Sequence, residues 1–190
     1  PFVMGPWDRF QRNSWNPSED RKTTSRHETV YEIPEQVADQ EDFMMANSYE
    51  VSETSSVPIF FRHMLTAVKF KTSNNIPACT VKSISLKGVK YKGYHNWQTH
   101  GSGILPWDPD ADTRDFTLDF PNGKEVAENT ETELTGKGET FFMMPQTFGD
   151  DSEARLEVTL EMNGVEQTDR CQTEGSCQCL WFVSLDRHNV

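Results

Sequence analysis

The segment from Phe141 to Gly164, FFMMPQTFGDDSEARLEVTLEMNG, constrains the fold more than any other part of the chain. Ala154, Leu156, Val158, Leu160 and Met162 are apolar, whereas Glu153, Arg155, Glu157, Thr159 and Glu161 between them are polar. A helix would scatter those apolar residues around its axis, but a strand puts all of them on one face. The period of two therefore predicts a half-buried strand with a charged outer face. Asn163-Gly164 follows, a pair that tolerates the positive φ angles of tight hairpin turns. Upstream, Phe141-Phe142-Met143-Met144 is apolar at every position and predicts a strand end covered on both faces. Pro145 stops it, having no N–H to donate. These residues read as scaffold.

With 190 residues the chain can form one large all-β domain, or one domain with an attached segment, and needs no staple to hold its core. Thirty acidic against 18 basic residues give a net charge of −12, which repels nucleic acid and anionic lipid. No window of 18 apolar residues exists to span a membrane. The sequence opens at Pro1 without a basic or apolar leader, so any signal peptide is expected to have been removed or omitted. Cys79, Cys171, Cys177 and Cys179 allow three full pairings and leave the compartment open. A zinc site from the last three with His188 has a spacing unlike common zinc modules, so free thiols or a single disulfide is the preferred reading.

Residues 1–28 hold Trp7, Phe10 and Trp15 among polar residues without a sustained period, which predicts an irregular segment whose aromatics cover a core edge. Thr29–Ile33 predicts a short strand. A helical turn over Pro34–Ala38 follows, since proline is tolerated where its N–H would be unpaired. Asp42–Ala46 is a second short apolar run. Within Val57–Thr72, Val57, Ile59 and Phe61 share one phase and Val68 and Phe70 the other, which requires a bend or bulge between His63 and Ala67. His63 at that bend is read as bonded to backbone rather than catalytic, because no carboxylate or nucleophile lies at a recognisable spacing.

Thr80–Tyr91 predicts another strand, with Ile84 and Leu86 in one phase, Val89 and Tyr91 in the other, and a bulge at Gly88. Its lysines Lys82, Lys87, Lys90 and Lys92 suggest a solvated face or a protected edge strand. Tyr94–Trp107, YHNWQTHGSGILPW, reads as an aromatic loop, with Tyr94, Trp97 and Trp107 as the candidate adhesive residues. The competing reading packs those rings on the chain's own core. Asp108, Asp110 and Asp112 alternate as in a calcium loop and Asp119 falls at the twelfth position. Thr113 replaces the required glycine and the flanks read as strand, so no metal is assigned. Asp115–Phe120 predicts a strand with Phe116, Leu118 and Phe120 inward, turned by Pro121-Asn122-Gly123-Lys124. Leu180–Leu185 is a last apolar strand that must pair within the chain or with another chain.

Four blocks carry a family likeness: YEIPEQVADQEDFMMA from Tyr31, VPIFFRHMLTAVKFKT from Val57, TVKSISLKGVKYKG from Thr80 with DFTLDF after it, and FFMMPQTFGDDSEARLEVTLEM from Phe141. The second block and the Met-Pro-Gln of the fourth are the most specific. In this order they resemble the fimbrillin families of Bacteroidales, subunits of type V pili. The resemblance implies an all-β fold, a transthyretin-like Greek-key β-sandwich of antiparallel strands, here over residues 29–190 after the irregular segment 1–28. A second sandwich follows in that family. Only 26 residues follow Gly164, so a fragment, a processed product or a shortened relative is expected. The family's lipoprotein cysteine near the precursor start has no counterpart here.

The resemblance further implies export to the cell surface and outer membrane, as part of a fimbrium. Other fimbrial subunits are the implied partners, joined by strand exchange after a protease trims an N-terminal strand, with host or bacterial surface ligands as further partners. Two functions are set side by side: a non-catalytic structural or adhesive subunit, and a surface glycan-binding module using Tyr94, Trp97 and Trp107. Exposure of at least two of those rings on one surface would favour the second. No nucleophile, base and orienter stand at a workable spacing, so no catalytic residue, cofactor or metal ligand is assigned.

Overall fold

The computed structural model describes residues 2–4, 11–12, 28–46, 61–96, 107–146, 154–171 and 181–185. Trp7, Phe10, Trp15, Trp97, Cys177, Cys179 and His188 lie outside the described residues. In chain order the strands are β1 (Phe2–Met4), β2 (Gln11–Arg12), β3 (Glu28–Glu32), β4 (Met44–Ala46), β5 (Arg62–His63), β6 (Thr66–Thr72) and β7 (Cys79–Lys90). They continue as β8 (Lys92–Asn96), β9 (Asp108–Pro109), β10 (Thr113–Val126), β11 (Phe141–Met143), β12 (Arg155–Met162), β13 (Val165–Cys171) and β14 (Trp181–Leu185). The one helical element among the described residues is a 3₁₀ turn at Val37–Asp39, where the proline-led turn was expected. Every described pairing is antiparallel, so the fold is all-β.

The largest sheet has the order β10-β7-β12-β13, with β7 and β12 as its interior strands. Ala154, Leu156, Val158 and Leu160 are buried while the residues between them reach solvent. Asn163 and Gly164 turn the chain with φ of 52° and 76°, the left-handed pair that a two-residue hairpin requires. Beside β12, β7 buries Val81, Ile84, Leu86 and Val89. Those four cannot share a face in an unbroken strand, and two bulges reconcile them. One lies at Lys82, where β12 advances one residue against two of β7. The other sets Lys87 and Gly88 against the single residue Asp115, with Gly88 at φ 64°.

Three smaller sheets complete the fold, with orders β11-β6-β14, β2-β3-β8-β9 and β1-β4-β5. Their buried residues, among them Tyr31, Met45, Val68, Phe70 and Phe141, join those of the large sheet in one continuous core. The chain changes sheet at Tyr91, between β7 and β8. There the Tyr91 carbonyl accepts from the Ile33 N–H at 2.8 Å, and the Arg114 guanidinium lies 3.8 Å from the Tyr91 ring centroid.

Several expectations are corrected. Pro121-Asn122-Gly123-Lys124 does not reverse the chain: β10 runs on to Val126, and Lys124–Val126 resumes pairing with Val81–Cys79. Turn-forming residues here make a bulge, because the ladder on either side outweighs local turn preference. The lysine stripe does not mark an edge, since β7 is flanked by β10 and β12. Three of its four lysines instead meet carboxylates, Lys82 with Glu161 at 3.0 Å, Lys87 with Asp115 at 3.2 Å and Lys92 with Asp110 at 3.8 Å, while Lys90 donates to the Ala111 carbonyl. Residues 1–28, read as irregular, contain β1 and β2, which pair with β4 and β3. Tyr94 opens no loop; it sits inside β8, paired with Val30 and Asp108.

Candidate functional site

Among the described residues, the feature most suited to assembly is the edge of β6. Strand formation is expected of TAVKFKT, whose Val68, Phe70 and Thr72 are buried while Lys69 is exposed. One side of β6 is filled by its own domain. Phe141–Met143 of β11 pairs with Val68–Thr66, and further along the Phe70 carbonyl accepts from the Leu134 N–H at 2.9 Å. The Phe70 N–H meets the buried Thr135 hydroxyl at 2.8 Å, and the Thr72 N–H bonds to the Thr132 carbonyl at 2.9 Å. Phe70 and Phe141 stack edge to face with centroids 5.3 Å apart.

The other side of β6 is covered by β14 alone among the described residues. Trp181, Phe182, Val183, Ser184 and Leu185 stand opposite Thr72, Lys71, Phe70, Lys69 and Val68. In the sheet order β14 has no second neighbour, so this five-residue ladder is its described attachment. Lifting β14 away would expose a row of backbone donors and acceptors above Val68 and Phe70. Such an edge is a template for strand addition, in which backbone hydrogen bonds give affinity and alternate side chains give specificity.

The Met-Pro-Gln block does its work next to this sheet. Met144 donates to the Lys90 carbonyl at 3.2 Å, but Pro145 offers no N–H to extend the ladder. Gln146 replaces it: its side-chain carbonyl accepts from the Lys90 N–H at 3.0 Å, and its amide nitrogen lies 3.4 Å from the Lys90 carbonyl. Gln40 acts similarly on β11, accepting from the Phe142 N–H at 2.6 Å and donating to the Pro34 carbonyl at 3.0 Å. Two side-chain amides thus close backbone groups that would otherwise remain available for pairing.

The candidate adhesive residues are separated. Trp107 is 5% exposed, donates from its indole nitrogen to the Met64 carbonyl at 2.7 Å and lies among Tyr31, Phe43 and His95. Tyr94 is half-buried, with its hydroxyl 3.4 Å from Asp110. The structure does not bring these two rings onto one exposed surface. Of the alternating aspartates, Asp110 is engaged by Tyr94 and Lys92, and no group of three or more metal-capable side chains occurs among the described residues.

His63 does have a carboxylate partner, where none was expected from spacing: Nδ1 contacts Asp42 Oδ2. Met44 pairs with His63 across β4 and β5, which brings Asp42 alongside. The separation of 21 positions hid this contact from any spacing rule. Cys79 is a free, buried thiol, and burial first and Glu125 second push its pKa up, away from the reactive thiolate. Among the described residues, neither group stands in a constellation of nucleophile, base and orienter.

A family model described as fimbrillin-like matches residues 13–175, most of the chain. The chain belongs to that family. Searches of curated proteins and of solved structures return no match. This fimbrillin-like membership agrees with the all-β architecture, and it supports a fimbrial subunit, structural rather than enzymatic. No helix among the described residues of this fimbrillin-like chain is long and apolar enough to cross a membrane.

Proposed function

We propose that the chain is a non-catalytic structural subunit of a cell-surface fimbria, built on a transthyretin-like Greek-key sandwich, and that it joins its neighbours by strand exchange at the edge of β6. The observation that carries this reading is the ladder of five antiparallel pairs between β14 and β6, made by a strand with no other described partner in the sheet. In the monomer β14 fills its own edge; in the fibre the equivalent strand of a neighbour takes that place. The exchange is nearly isoenergetic per bond, because the same backbone groups pair with an identical strand. The fibre is then selected by concentration and by whatever frees β14. Tyr94 and Trp107 are not part of this reading.

The test places cysteines at Lys69 and Ser184, which face each other in the ladder. After polymerisation, oxidation is expected to give a ladder of covalent oligomers on non-reducing gels, with the peptides bearing positions 69 and 184 joined between chains. A polymer whose 69–184 links all lie within single chains would refute exchange at this edge.

A further inference from the structure

The large sheet ends on β13, and among the described residues nothing pairs with its outer side. This edge lacks two of the usual protections, proline and a bulge, and its charges are of both signs. It contains no proline, and its seven pairs with β12, from Met162↔Val165 to Leu156↔Cys171, run without a register shift. Val165 is 64% exposed, the one exposed large apolar residue among those described.

The backbone of β13 has a defined polarity of donors. In a two-residue hairpin the residues flanking the turn, Met162 and Val165, exchange hydrogen bonds with each other. Along β13 the N–H and C=O groups of Val165, Gln167 and Asp169 therefore point to β12, and those of Glu166, Thr168 and Arg170 point outward. Around Thr168 the side chains are arranged with opposite charge: Glu166 lies two residues before it and Arg170 two residues after.

We propose that β13 is a self-recognition edge, which pairs antiparallel with β13 of a second copy about a two-fold axis at Thr168. In that register Glu166 of each copy stands opposite Arg170 of the other, and Thr168 meets Thr168. All three outward-pointing residues then lie in hydrogen-bonded pairs, giving six backbone bonds. Centring one residue earlier sets Glu166 against Thr168 and leaves both charges unmatched. Centring one residue later sets Asp169 against itself. Only the Thr168 register pairs opposite charges twice, and like charges opposite one another disfavour a pairing.

The outer face of the sheet extends this match. Across the hairpin Glu161 is directly opposite Glu166, a like-charged pair relieved on one side by Lys82 at 3.0 Å from Glu161. Arg170 of the second copy would supply the missing cation beside Glu166. Arg170 contacts Glu157 at 3.1 Å through Nε and its side chain is 71% exposed. A guanidinium has five donors, so this contact leaves capacity for a second carboxylate. The Thr159 and Thr168 hydroxyls, 3.1 Å apart, would continue as a row of four threonines across the dimer. This contact is isologous and closes as a dimer, whereas exchange at β6 propagates; the two use edges of different sheets.

The experiment is sedimentation velocity on the full chain, at concentrations up to about 500 µM because so short an edge falls below the standard interface size. About 0.15 M salt shortens the Debye length to about 8 Å and screens the repulsion between two acidic molecules. The 21.8 kDa chain is expected to double in mass with rising concentration. Glu166→Arg and Arg170→Glu are each expected to weaken self-association at least tenfold, and a one-to-one mixture of the two to restore it. Thr168→Pro removes an outward-pointing N–H and the exposed hydroxyl contact with Thr159 but no backbone bond to β12, and is expected to stay folded by circular dichroism and monomeric. Wild type that remains monomeric overturns the proposal. So does self-association of Glu166→Arg and Thr168→Pro at the wild-type level, a result that would leave exchange at β6 standing.

Discussion

Replacing Trp107 by alanine and by phenylalanine separates the two things that its indole does. The ring fills space among Tyr31, Phe43 and His95, with centroids 6.2, 5.6 and 5.6 Å away. Its N–H also satisfies the Met64 carbonyl at 2.7 Å, in the break between β5 and β6. Truncating a buried aromatic ring to alanine costs about 3–5 kcal/mol from lost transfer energy and the residual cavity. Leaving a buried carbonyl without its donor costs about 1–3 kcal/mol. Trp107→Phe keeps most of the packing and loses the donor, so about 2 kcal/mol is expected for it, and about 5 kcal/mol for Trp107→Ala. With a urea slope of about 2 kcal/mol/M, the midpoints fall by about 1 M and 2.5 M. Circular dichroism in the β band is the appropriate signal, because the substitution itself removes one of five tryptophans from the fluorescence. An alanine variant whose midpoint lies within about 0.3 M of wild type, about an eighth of the shift calculated from that slope, would refute this account of Trp107.

Gly123 has φ 69°, and a Cβ built there would stand 2.3 Å from Thr80 Cγ2, so Gly123→Ala is expected to lower stability by about 1–3 kcal/mol in thermal melts. Thr80→Ser removes the clashing methyl and should recover part of that loss, the remainder reflecting backbone strain. At Asp115 burial alone would raise the pKa, but the Gly88 N–H, Lys87 and Arg155 together hold the carboxyl below its ordinary range. The stability it contributes is present above the unfolded-state pKa and lost as pH falls through the lower folded value, so Asp115→Asn should flatten the acid limb of a stability-against-pH curve. Cys79 has the opposite sign. Its raised pKa means that its contribution is intact at neutral pH and declines as pH rises past the ordinary thiol range. Peptide mapping after thiol labelling at pH 8 should find Cys79 unmodified in native protein and modified after urea unfolding.

What could be read from residue order depended on whether a single local signal governed each segment. The strand β12 was plain because its alternation is unbroken and one of its faces packs on the core. The bulge at Gly88 was visible because a glycine stands where the phase changes. The equivalent bulge at Lys82 was not, since lysine gives no conformational signal and Val81 could as well have faced outward. Pro121-Asn122-Gly123 carried a true local preference for turning, yet Lys124–Val126 had a waiting partner in Cys79–Val81, and long-range pairing prevailed. The position of β7 inside its sheet, the coverage of β6 by β14 and the contact of His63 with Asp42 all depend on segments far apart in the chain. No periodicity encodes such neighbours. The self-complementary edge lies between these cases. Its charges are printed in the sequence, but their meaning needs the hairpin register that turns Thr168 outward.

The passage of one backbone run through Tyr91 has a mechanical consequence. Cys79–Asn96 lies between β10 and β12 in one sheet and then between β3 and β9 in another, so both sheets hang on the same covalent spine. Tension applied to either is delivered to the other through peptide bonds rather than through side-chain friction. A fibre made of such units should therefore yield under load by strands slipping between molecules before the two sheets of any one molecule part, and each domain, once it fails, should fail in a single rupture.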